Sequence, residues 1–368
     1  MKRELNLLHI ICISTGAMIS SGLFILPGLA FREAGVGVIF AYFLAGLFAI
    51  PAVVSKAELT TAMPKAGGMY FFIDRSFGPL VGTFGGIAAW LSLSFKSAFA
   101  LIGMSVFVKL IYPEIGEMEI KVIALVLCIG FTWVNWLNIK IAGKVQVALV
   151  GVLVGILGVY VVKGLEEIQM ERYFTIKGES GLALLGVAGF VFVSYGGLTK
   201  IAAIAEEIKK PAHTIPLGML ISLLLVMIIY LTVVFVTVGI VPAEKLASST
   251  TPISLGGSII LGKFGKILLA IAGILAFSST ANAGIMTAAR NPMAMGEDNI
   301  LPKMFAKIHQ KRGVPSWSIL TTGGLMVCIL LFLDLEYLIK TASSLKILLF
   351  LLSNLAVISM RESKIKNY

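Results

Sequence analysis

Apolar runs of about twenty residues alternate with short polar segments along the whole chain, the pattern of helices long enough to cross a bilayer. Ten such runs are read, at about 5–31, 36–55, 79–111, 120–138, 143–163, 182–206, 215–240, 264–290, 316–333 and 336–360. Two are interrupted near their centres. The first contains GAMISSGLFILP (Gly16 to Pro27), whose middle, Ser20-Ser21-Gly22, is a poor stretch of helix. The sixth contains Ser194-Tyr195-Gly196-Gly197-Leu198-Thr199-Lys200. A break at mid-membrane exposes backbone N–H and C=O groups, which hydrocarbon does not tolerate unless the break lines a cavity or is covered by protein. The plainer alternative is a small-residue packing face against a neighbouring helix.

Position decides between the two readings. Each break falls in the first helix of a five-helix set, and because five is odd the second set enters the membrane from the opposite side. Unrelated packing faces have no reason to occupy corresponding places. The pattern therefore predicts one transmembrane domain over 1–360, built from inverted repeats at about 5–165 and 180–360, with 361–368 as a short tail. A half-helix that starts at a break offers free N–H groups and partial positive charge, which suit a carboxylate. One that ends there offers carbonyls, which suit an ammonium group or a cation. Together they match the two ends of a zwitterionic amino acid.

Composition agrees with a polytopic membrane protein: 58% of residues are hydrophobic, 13% are charged, and mean hydropathy is +0.97. The net charge of +11 is not a nucleic-acid footprint, because the basic residues lie in short clusters between apolar runs. With the N-terminus inside, most of these clusters fall on one side, which predicts that both termini are cytoplasmic. Cys12, Cys128 and Cys328 are dispersed within apolar runs and signal neither a disulfide framework nor a metal site. The basic-then-apolar N-terminus imitates a signal peptide but runs on past any cleavage site, so it is read as a retained first helix.

Between the runs, the loop from Lys56 to Pro79 is expected to hold a short interfacial helix, and Pro242 to Lys263 to be an external loop. Asn291 to Pro315 is expected to be a basic connection. Gly82 and Gly86, and Gly151, Gly155 and Gly158, are spaced as helix-packing faces. Lys96, near the centre of the third run, costs on the order of 2.5–3.5 kcal/mol to insert, so it should face the interior or water, as a proton carrier, a fixed charge or a structural lysine. Lys200 is a weaker candidate for the inner vestibule, and Lys340 and Lys346 read as snorkelling or gate residues. Ser278, Ser279 and neighbouring Thr280 offer oxygens to a small hard cation, or hydrogen bonds to a neighbouring helix. An enzyme is not signalled: His9, His213 and His309 stand apart without a carboxylate or cysteine pattern. Gly257 to Lys263 imitates a phosphate loop, but Phe264 stands where Ser or Thr is needed.

With both breaks in view, the sequence resembles the amino acid–polyamine–organocation family of secondary transporters. GAMISSGLFILPG is similar to that family's first-helix motif, FVSYGGLTKIAAIAEEIKKPAHTIP to its sixth helix and following loop, and SSTANAGIMTAARNPMAMGEDNILP to its eighth helix and loop. The resemblance implies an all-α LeuT-type 5+5 inverted-repeat fold with helices one and six broken. It puts the substrate carboxylate at the N–H groups of Ser20, Ser21 and Gly22. The ammonium then meets carbonyls near Ala17 and Met18 and those of Val193, Ser194 and Gly196, with Phe192 and Tyr195 as the aromatic lid. Lys96, Ser278 and Ser279 are the coupling-ion candidates. Three features depart from the family pattern. Thr199 stands where members selecting cationic amino acids often carry Glu, Leu153 where some proton-coupled members carry Lys, and ten helices are read where twelve are usual.

The expected function is a plasma-membrane permease for a small or neutral amino acid, working by alternating access with H+ as coupling ion. Sodium symport and amino acid exchange follow closely, and an acidic substrate is compatible with Lys96 and Lys200. A non-transporting amino acid receptor or accessory subunit is the alternative of another class. No cofactor or nucleic acid is implied, the partners are the amino acid and the lipid bilayer, and the oligomeric state is left open.

Overall fold

The computed structural model describes residues 3–174, 181–332, 345, 348–349, 351–352 and 354–359. The tail 361–368, Lys340, Lys346 and most of the tenth run lie outside the described residues. The described chain is helical, and its one β-type contact is a parallel bridge between Leu5 and Ile208.

Helix α1 (Leu7–Met18) starts at Asn6, whose side chain caps the His9 N–H while His9 reaches back to the Asn6 backbone. It is followed by α2 (Ser21–Phe24) and α3 (Leu26–Ala34), then by α4 (Val38–Ala62). Helix α5 (Met69–Phe77) is the expected interfacial helix, and α6 (Pro79–Gly103) with α7 (Ser105–Ile111) forms the third crossing. Helix α8 (Glu117–Leu137) opens with Glu117 and Glu119 in its first turn, where acidic side chains suit the helix dipole. Asn138 then turns the chain sharply and caps α9 (Ile139–Glu166) through the Lys140 N–H at 2.7 Å.

The second half runs through α10 (Gly181–Phe192), a 3-10 segment (Val193–Thr199), α11 (Lys200–Ala203), α12 (Pro211–Ile240), α13 (Ala243–Ser248), α14 (Pro252–Ala288), α15 (Arg290–Glu297) and α16 (Ser316–Phe332). Helix α14 packs against α6 and α9, and α12 against α1 and α4, so the interrupted helices are enclosed by the others. Seven segments are long and apolar enough to cross a membrane among the described residues. Side chains such as Phe48, Val126, Ile129, Leu224 and Ile228 are at least half exposed around the outside, as a lipid-facing surface requires.

Four local expectations are corrected. The second crossing continues to Ala62, so Lys56 lies in α4, buried, rather than in a loop. Pro242 to Lys263 is not a loop: it forms α13 and the first part of α14, with the turn at Leu261-Gly262, where Gly262 has φ 57°. The connection after the eighth crossing begins as a buried helix, α15. Gly82 and Gly86 do pack, against Asp74 and against Tyr70 and Met295, but Gly151, Gly155 and Gly158 face open space.

Candidate functional site

Helix α1 stops at Met18. Ile19 (φ −75°, ψ 94°) and Ser20 (φ −153°, ψ −117°) leave helical geometry, and α2 resumes at Ser21. In the sixth crossing the chain tightens from α10 into the 3-10 segment at Val193 and returns to α-helix at Lys200. The two interruptions lie directly against each other. A Cβ on Gly197 would stand 2.6–2.7 Å from the Ala17 carbonyl and the Met18 nitrogen, and one on Gly22 would stand 2.6–2.8 Å from the Ser194 side chain and the Tyr230 hydroxyl. Only glycine lets the backbones approach this closely.

Three carbonyls around the first break find hydroxyl donors. Thr280 donates to the Gly16 carbonyl at 2.9 Å, Tyr230 to that of Met18 at 2.8 Å and Tyr42 to that of Gly22 at 2.6 Å. Tyr42, Tyr195 and Tyr230 stack edge to face around this point, and Tyr195 donates to the Tyr42 carbonyl at 3.1 Å. The N–H groups of Ser20, Ser21 and Gly22 donate to no acceptor among the described residues. The Ser194 hydroxyl beside them is buried and likewise has no described partner. Unspent donors at a buried junction need a ligand or water, since leaving each unmade costs about 1–3 kcal/mol.

The other sequence candidates divide between two places. Ser279 lies in a buried chain of polar side chains: Gln146 donates to its hydroxyl at 2.6 Å, Asn282 to Gln146 at 2.9 Å and Asn135 to Asn282 at 2.9 Å. This chain ties α8, α9 and α14 behind the first break. Ser278, also buried, precedes Ser279 in α14. Lys96 and Lys200 instead meet in one cavity that Lys56 and Gly196 also line. Lys200 donates to the Thr280 carbonyl at 3.1 Å, so the eighth crossing already offers an oxygen to a cation there. Phe192 and Tyr195 line a smaller space between α4 and α12, with Val53 and Met219. Val193 begins the 3-10 segment. Leu153 is fully buried in the apolar core.

The sequence reading did not find Tyr42, Tyr230, Gln146 or Asn135. Their signal was a single polar side chain within an apolar run, which looks the same whether it faces lipid headgroups or a neighbouring helix.

The arrangement is one of two interrupted helical segments lying against each other, and residues 5–365 match the family model described as amino acid permease. The chain belongs to the amino acid permease family. Permeases of this family have the LeuT-like fold, and their membership names transporters rather than enzymes. Among curated relatives, cationic amino acid transporter 9, chloroplastic, of Arabidopsis thaliana is 27% identical over 327 residues, 83% of this chain and 57% of that protein. The branched-chain amino acid permease BcaP of Lactococcus lactis is 27% identical over 389 residues, 97% and 82%. Large neutral amino acids transporter small subunit 2 of Homo sapiens is 25% identical over 342 residues, 88% and 63%. The chain thus spans little more than half of the Arabidopsis permease relative and about four-fifths of BcaP.

Proposed function

We propose that this permease-family chain is a secondary active transporter of a small or neutral amino acid, working by alternating access around the junction of its two interruptions. The observation that carries the reading is the set of unspent N–H groups at Ser20, Ser21 and Gly22 opposite the unpartnered Ser194 hydroxyl. These donors suit the substrate's α-carboxylate. The ammonium then takes the second lone pairs of the Ala17 and Met18 carbonyls and those of the Val193 to Gly196 segment. Ligation on both sides of the junction draws the two five-helix sets together, and release requires α1 or α11 to separate from its neighbours.

A proton is the preferred coupling ion. The Lys200 ammonium on the Thr280 carbonyl occupies an oxygen that sodium would use, and Ser279 is engaged by Gln146. Relatives named for branched-chain and large neutral substrates support an apolar or uncharged side chain. The basic face that carries the N-terminus is taken as cytoplasmic, in a plasma membrane. One proton crossing 100 mV supplies about 2.3 kcal/mol, enough for roughly fifty-fold accumulation.

The test is uptake of labelled amino acids into proteoliposomes holding the purified chain, under an imposed pH gradient, a sodium gradient or internal amino acid alone. Saturable uptake of a neutral amino acid driven by the pH gradient is expected. Uptake driven only by sodium or by exchange would replace the coupling. Binding without flux under all three conditions would overturn transport and leave a receptor.

A further inference from the structure

Helix α9 begins after the turn at Asn138, and its first two turns carry Lys140 and Lys144 one turn apart on an exposed side, with Ile141 beside them. Gly143, between them, faces inward: a Cβ there would stand 2.6 Å from the His9 ring and 3.2 Å from the Leu5 side chain. The Leu5 carbonyl in turn accepts from the Lys209 N–H at 2.9 Å. Lys209, on the segment after α11, is thereby held at the same corner, and the charges that act on His9 are those of Lys209, Lys140 and Lys144.

All three lysines are exposed, and none of them is in an ion pair among the described residues. The acids nearest in sequence are turned elsewhere. Glu207 pairs with Arg290, Glu206 accepts from the Ala66 N–H, and Glu4 has a carboxylate oxygen buried away from solvent. The corner also lies at the edge of the apolar belt: Leu8, Ile141 and Trp133 are 54%, 43% and 58% exposed. Trp133 lies 5.2 Å from Trp136, and the Arg312 guanidinium sits 3.3 Å over the Trp136 ring. Exposed tryptophan beside basic side chains is the pattern of the boundary between hydrocarbon and headgroups.

A charge bias between the two faces of the membrane accounts for the side on which these lysines lie. It does not account for three of them meeting around one side chain from two separate segments, where like charges repel. The N-terminus of α9 adds partial positive charge at the same point. Converging positive charge at headgroup depth, next to exposed apolar side chains, matches a lipid whose headgroup is negative.

We infer that the corner formed by α1, the start of α9 and Lys209 is a binding site for an anionic phospholipid, with the phosphate among Lys140, Lys144 and Lys209 and an acyl chain against Leu8 and Ile141. The site does not depend on which substrate is transported.

The measurement is quenching of tryptophan fluorescence in proteoliposomes holding the full chain, with Trp133 and Trp136 as the reporters at the corner. Dibrominated phosphatidylglycerol is titrated into phosphatidylcholine, and dibrominated phosphatidylcholine into phosphatidylglycerol. A preference for phosphatidylglycerol of at least about tenfold, about 1.4 kcal/mol, is expected. Lys140→Gln with Lys144→Gln should cut it by about fivefold for each charge removed, and Lys140→Arg with Lys144→Arg should keep it. Lys303→Gln with Lys307→Gln removes the same charge from the connection after α15 and should also keep it. No preference in the wild-type chain would overturn the site without any variant having to fold. Equal losses in the two neutral pairs would overturn it too, because that is the mark of diffuse surface charge. Displacement of the brominated phosphatidylglycerol by millimolar glycerol phosphate at constant ionic strength would show a site for a free anion instead. Because no arm reads flux, failure of transport leaves the lipid site standing, and failure of the lipid preference leaves transport untouched.

Discussion

Gly22 and Gly197 decide whether the two interruptions can meet. At Gly22 an added methyl would press on the Ser194 side chain and the Tyr230 hydroxyl, both inside 3 Å. Overpacking of this kind costs about 1–3 kcal/mol, and here it also fills the space beside the free N–H groups. Gly22→Ala is expected to lower the unfolding midpoint and to reduce amino acid uptake in proteoliposomes by about tenfold or more. Wild-type uptake by this variant would show that the substrate does not sit at the junction. The small residues at the first break were legible because a bilayer helix has no local reason to place Ser-Ser-Gly at its centre. The tyrosines that cap the carbonyls were not, because Tyr42 and Tyr230 lie in α4 and α12, far from the break in sequence.

Among the helices, a buried ion pair ties the start of α15 to the segment after α11. Arg290 and Glu207 are 0% and 1% exposed and meet at 2.8 and 3.2 Å, with a further bond from Arg290 to the Met286 carbonyl at 2.6 Å. The Glu207 backbone carbonyl also accepts from Glu4 and Leu5, and the Lys209 N–H donates to the Leu5 carbonyl, each at 2.9–3.0 Å. The first and sixth crossings are thereby joined on the N-terminal face. Arg290→Met leaves a buried carboxylate uncompensated and is expected to cost about 3–5 kcal/mol, whereas Arg290→Met with Glu207→Leu should recover most of it. Chemical unfolding of the three variants checks this, and equal losses in single and double variants would show that the pair does not stabilise the contact. Arg290 ends the eighth apolar run and Glu207 follows the sixth, and nothing in the local pattern shows that the chain after the eighth crossing returns into the protein as α15. The same limit explains Gly151, Gly155 and Gly158: glycine spacing shows where a partner helix could fit, but not whether this chain supplies one.

Across the molecule as a whole, the two halves are also clasped on the N-terminal face by α5 and the end of α15. Tyr70 donates to Asp298 at 2.7 Å, and Arg75 lies 3.7 Å from Asp74 and 3.5 Å from Asp298. Burial, and then the Asp298 charge, push the Asp74 carboxyl above its ordinary range, and Arg75 only partly opposes them. A folded pKa above the unfolded one means that Asp74 favours the folded state most below about pH 4, and that this contribution is lost as pH rises through the raised value. Ionised Asp74 is therefore a cost at neutral pH. Asp74→Asn is expected to raise the unfolding midpoint at pH 7, with the gain shrinking towards pH 4. A lower midpoint at pH 7 would show that the Arg75 contact outweighs burial.

Composition and periodicity were enough to indicate a helical protein with several membrane-crossing segments and to single out two stretches of weak helix formers. Apolar runs of bilayer length required helices, and the weak helix formers at Ser20 to Gly22 and Ser194 to Thr199 marked where two of those helices could not run straight. Motif resemblance added the family. Packing in three dimensions then settled which polar groups are spent and which are free. Thr280, Tyr42 and Tyr230 take up the Gly16, Gly22 and Met18 carbonyls and leave the N–H groups open, and lysines separated by 40 and 104 positions come to line one cavity. The reason is that satisfaction of a buried donor or charge depends on partners from distant helices, and their facing directions are set by packing rather than by local pattern.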